Sequence, residues 1–79
     1  MSEQYNFTVE VDGKVYKCER DVSGKRLFTQ RIYVVGIGSK DDPAQYGPKR
    51  HPPETMASIA RIIASEIIRE KGPGSVPHA

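Results

Sequence analysis

The sequence has one cysteine, two histidines and no long apolar run. Each scarcity excludes something. With Cys18 alone, no disulfide can close within the chain, and no zinc site can be built from several thiolates. A lone unpaired thiol fits a reducing compartment. No apolar stretch approaches the ~20 residues that a membrane-spanning helix needs. The first residues lack the basic region and following apolar run of a signal peptide. These absences predict a soluble, cytoplasmic chain with no membrane partner. No repeat or low-complexity tract is present beyond a Gly/Pro-rich tail.

The sequence also lacks a catalytic set. His51 and His78 are the only histidines, and His78 lies in the tail. Cys18 is expected to face the core, where thiols are inert. Asp41 and Asp42 precede Pro43 and read as a turn. A metal held by His51 and Asp42 would have too few protein ligands. No nucleophile, base and orienting group can be assembled from these residues. The chain is therefore expected to be no enzyme, with no cofactor and no metal.

What is present is organised around Pro53 to Lys71. Proline suits a first helical turn, because the N–H it lacks would be unpaired there. Glu54 sits at the positive end of the helix dipole, and Arg69 and Lys71 at the negative end. Gly72-Pro73 stops the run. At ~100° per residue, Met56, Ile59, Ala60, Ile63 and Ile67 form one stripe, and Ala64 and Ile68 extend a flank. Ile62 projects onto the polar side. An exposed isoleucine is ordinary, but a loop or a second copy would also cover it, so Ile62 is kept as a candidate interaction residue.

Tyr5 to Val11 alternates apolar and polar, the period of a half-buried strand. Asp12-Gly13 is a favoured two-residue hairpin turn, and Lys14 to Arg20 should return antiparallel. Val11 then faces Lys14, Val9 faces Tyr16, Phe7 faces Cys18, and Tyr5 faces Arg20. Phe7, Val9, Tyr16 and Cys18 fall on one face, so turn chemistry and apolar pattern agree. Arg26 to Val35 reads as a third strand. Phe28, Ile32 and Val34, with Gln30, are placed toward the helix, because Arg31 on the other side is hard to bury unpaired.

The expected fold is α+β: a three-stranded antiparallel meander covered by one C-terminal helix, β-β-β-α in two layers. One domain spans residues 5–71. Residues 1–4 and 72–79 are expected to be disordered ends. Residues 36–52 read as one loop, long for so small a domain, with Ile37 and Tyr46 as side chains that would pin it.

Net charge is +2, unevenly spread. Residues 1–12 carry Glu3, Glu10 and Asp12, while residues 13–50 carry nine Lys or Arg against Glu19, Asp21, Asp41 and Asp42. An anion would be drawn to the middle of the chain. Two candidate surfaces follow. Lys49, Arg50 and His51 precede the helix N-terminus, whose free N–H groups favour anions, and Lys40 would join them if the loop folds back. Lys17, Arg31 and Tyr33 share the open sheet face, a way of holding single-stranded nucleic acid.

Gly36-Ile37-Gly38-Ser39-Lys40 does not meet the spacing of a phosphate-binding loop, and no helix follows it directly. It echoes the glycine-rich turn of double-stranded RNA-binding domains, which also run three strands and then a helix. Their N-terminal helix and the basic run opening their last helix are both absent, so no membership is assigned. The reading adopted is a small non-enzymatic interaction or self-assembly module, binding a protein partner or a second copy of itself. The alternative is a weak RNA or anion binder using the basic loop.

Overall fold

The computed structural model describes residues 2–47 and 53–72. Four strands are present: β1 (Ser2–Val11), β2 (Lys14–Ser23), β3 (Thr29–Val34) and β4 (Gly38–Asp41). They form one antiparallel sheet in the order β1-β2-β3-β4. The helix α1 spans Pro53–Lys71, the bounds its capping residues predict.

The hairpin has the expected register, with Val11 opposite Lys14 and Phe7 opposite Cys18. Asp12 (φ 54°) and Gly13 (φ 78°) are both left-handed, which is the type I′ turn that matches strand twist. Val9, Val11, Cys18, Ile32 and Val34 are buried with Ala60, Ile63, Ala64, Ile67 and Ile68, and Phe7, Tyr16, Ile37 and Ile59 pack around them. Burying each large aliphatic side chain contributes roughly 1.5–3 kcal/mol, so this one layer contact holds the fold. The helix runs in the direction of β3. Its first turn meets Gln30, which bonds to Met56 O. Its last turn crosses β4, where a Cβ on Gly38 would lie 3.2 Å from Lys71 Cδ.

Four expectations need correction. The sheet has four strands rather than three, because Gly38–Asp41 pairs along β3. That segment has no β-branched or aromatic residue. Its strand conformation comes from pairing with β3. Residues 36–52 are therefore not one continuous loop. The N-terminus is not free up to Gln4, because β1 starts at Ser2 and pairs with the end of β2 at Ser23. The third strand begins at Thr29 instead of Arg26. Phe28 instead pairs with Tyr46 across an isolated bridge, N to O at 2.6 and 2.8 Å. Residues 73–79, most of the expected tail, lie outside the described residues.

β3 pairs β2 only over Cys18–Ser23. The tip of the β1–β2 hairpin thus projects past β3, with helix on one face only. Val15 and Val35 lie there, 62% and 56% exposed.

Candidate functional site

Of the residues expected to bind an anion, the described ones fall on two faces of the sheet. Lys49, Arg50 and His51 lie outside the described residues. Lys40 is on the helix side of the sheet, 3.3 Å from Glu70 and 3.5 Å from Glu66. Those carboxylates, Glu70 foremost, hold its ammonium above the usual lysine range. Lys17, Arg31 and Tyr33 are on the opposite, open face. Arg31 Nε is 3.5 Å from Asp41 and its guanidinium lies 5.8 Å from the Tyr33 ring. Tyr33 stands opposite Glu19, and Arg31 opposite Asp21. By strand alternation this face carries Glu10, Glu19, Asp21 and Asp41 against Lys17 and Arg31. Among the described residues, this face is therefore more acidic than basic in charge. Two shallow hollows of about 520 and 450 Å³ lie along it, one over Asp21, Arg31 and Tyr33, the other over Asn6, Thr8, Lys17 and Val35.

Cys18 is buried, and burial pushes its thiol up. Among the described residues, no group of three His, Cys, Asp or Glu side chains could hold a metal ion. No helix of the described residues is long and apolar enough to cross a membrane. Ile62 is 57% exposed. One helical turn on, Glu66 reaches Lys40, so Ile62 sits on the β4 flank of α1, away from β1.

A polar cluster was missed by the sequence reading. Gln30, Asp42 and Tyr46 are all buried. Gln30 Nε2 donates to Asp42 Oδ2 at 2.8 Å and to Met56 O at 2.9 Å. The Tyr46 hydroxyl donates to the same carboxylate. Arg20 Nη1 donates to Gln30 Oε1 at 3.1 Å, and Asp42 Oδ1 accepts the Ala44 N–H at 2.9 Å. Burial, then the bond to Asp42, push the Tyr46 phenol up to about 12. This cluster ties the segment after β4 to the sheet and to the helix N-terminal turn. The polar Gln30 on the apolar side of β3 was its one trace in the sequence.

The two sheet edges differ. β4 is four residues long and carries Lys40 and Asp41, both ion-paired. Short, charged edges resist pairing. β1 is ten residues long, in unbroken register, with no proline. Its charges, Glu3 and Glu10, are near its two ends. In a two-residue hairpin the residues flanking the turn exchange both hydrogen bonds. The inward series on β1 is therefore Val11, Val9, Phe7, Tyr5 and Glu3. Val35 N donating to Lys17 O at 3.0 Å fits the same parity, since it places Lys17 toward β3. The N–H and C=O groups of Gln4, Asn6, Thr8 and Glu10 point outward, where no described strand lies.

No protein-family model matches this chain, and no curated protein or solved structure is found to be similar to it.

Proposed function

We propose that this protein is a small interaction module that recruits another polypeptide by strand addition at β1. The observation that carries this reading is the contrast between the two edges. β4 has the features that discourage pairing, whereas β1 offers outward N–H and C=O groups along a ten-residue, proline-free strand in unbroken register. Tyr5, 41% exposed beside that edge with the Arg20 guanidinium 4.5 Å from its ring, supplies apolar contact area for an added strand. The acidic balance of the open face and the engagement of Lys40 with Glu66 and Glu70 favour a polypeptide over a nucleic acid.

Thr8→Pro tests the reading. Thr8 points its N–H outward, so proline removes an edge donor without breaking the β1–β2 ladder. Sedimentation of the pure protein and capture from a native lysate are compared for wild type and variant. Association or capture that wild type has and Thr8→Pro lacks supports strand addition. A wild type that stays monomeric and captures nothing ends the reading.

A further inference from the structure

We infer that the occupant of the β1 edge is β1 of a second copy of this chain, paired antiparallel across a two-fold axis. The inference rests on the strand-addition reading and names its partner. Outward groups must meet outward groups, so Gln4, Asn6, Thr8 and Glu10 can oppose only one another or Ser2 in the second strand. A parallel arrangement would bring Glu3 and Glu10 beside their own copies, which is unfavourable. The antiparallel arrangement separates them. Centred on Phe7, it sets Gln4 opposite Glu10 and Asn6 opposite Thr8, twice each. Every one of these four pairs can form a side-chain hydrogen bond, and none sets like charges face to face.

The helix side of the sheet is complementary under the same operation. α1 covers the Val9 and Val11 end of β1, where both are buried, and leaves the Tyr5 end bare at 41% exposure. Antiparallel pairing sets the bare Tyr5 of each copy beside the covered Val9 of the other, with Phe7 against Phe7 at the axis. The two helices lie over opposite ends of the joint and do not compete for space. The product is one eight-stranded sheet whose outer edges are the two short β4 strands. The interface is isologous and closed, so it stops at a dimer.

A strand-edge joint buries less than the about 1,600 Å² of a standard interface, so it is read between about 10 μM and about 1 mM protein. The expected result is a concentration-dependent dimer in sedimentation velocity. Amide exchange at Gln4, Asn6, Thr8 and Glu10 should slow by about tenfold when nine-tenths of the chain is dimeric. The inward amides of Tyr5, Phe7 and Val9 should be protected at every concentration.

Asn6 and Thr8 are exposed in the single chain, so charge can be placed there without touching the core. The double variant Asn6→Lys/Thr8→Lys should be folded and monomeric, because each new cation faces another. Mixed with Asn6→Glu/Thr8→Glu, it should form a one-to-one dimer. A dimer whose outward amides still exchange freely, or one that persists in the lysine variant, overturns the edge pairing. A wild type that stays monomeric throughout, yet captures a different protein that Thr8→Pro does not, overturns self-pairing while strand addition stands.

Discussion

Gln30 and Asp42 are joined twice. The Asp42 N–H donates to the Gln30 carbonyl at 3.0 Å, and Gln30 Nε2 donates back to the Asp42 carboxylate at 2.8 Å. Both side chains are buried. The pair converts the end of β4 into a fixed corner, and Tyr46 closes it from the other side through its own bond to Asp42.

Asp42→Ala should therefore destabilise the domain by about 2–4 kcal/mol, because it removes the buried carboxylate that accepts from both the Tyr46 hydroxyl and the Gln30 amide. Tyr46→Phe, which leaves the carboxylate its bond to Gln30, should cost less, about 1–2 kcal/mol. Urea melts at neutral pH measure both. Equal losses would mean that the cluster does not act as a shared network.

The same cluster gives a pH dependence. The Tyr46 phenol is raised to about 12, above its unfolded value of 10.0. Its folded form thus favours the proton. That stabilisation is complete below pH 10 and is lost as pH rises from about 10 to about 12, at up to about 1.4 kcal/mol per pH unit. Lys40 and Tyr5 also titrate above their ordinary values, so the Tyr46 share is the difference from Tyr46→Phe. That difference should fall steadily across the window in urea melts at stepped pH, and changes sign where ionising the buried phenol costs more than its hydrogen bond contributes. A constant difference would refute the assignment.

Much of the fold was legible because independent signals agreed. Asp12-Gly13 and the alternation from Tyr5 to Val11 demand the same register, and the register occurs. The caps and stripe of Pro53 to Lys71 demand the same helix. β4 was not legible, because Gly38-Ser39-Lys40-Asp41 is a strand only by virtue of β3 beside it. Ser2 to Gln4 is polar and joins the sheet by extending an existing ladder. The outward parity of β1 could be read from the turn; that nothing described covers it could not.

Ile62 and Ile63 give a local test of the helix face. Ile63 is 6% exposed and Ile62 57%. Ile63→Asp places an unpaired charge in the core, at several kcal/mol, and should unfold the domain. Ile62→Asp should stay within about 0.5 kcal/mol of wild type. Circular dichroism melts separate the two, and a stable Ile63→Asp would mean that the helix is rotated.

Gly24 and Gly13 are both left-handed but differ in surroundings. A Cβ on Gly13 meets nothing within 4 Å, whereas one on Gly24 (φ 121°) would stand 1.9 Å from the Leu27 carbonyl oxygen. Gly13→Asn should be nearly neutral, since asparagine tolerates this region, while Gly13→Val should cost about 1–2 kcal/mol. Gly24→Ala adds a backbone clash to strain and should cost more than Gly13→Val, because Leu27 leads directly into the Phe28–Tyr46 bridge and must move. The readout is the urea midpoint together with the amide protection of Phe28 and Tyr46. Loss of protection at those two amides, with the Phe7 and Val9 amides still protected, is the expected signature. Uniform loss across the sheet would show instead that the corner and the hairpin unfold as one unit.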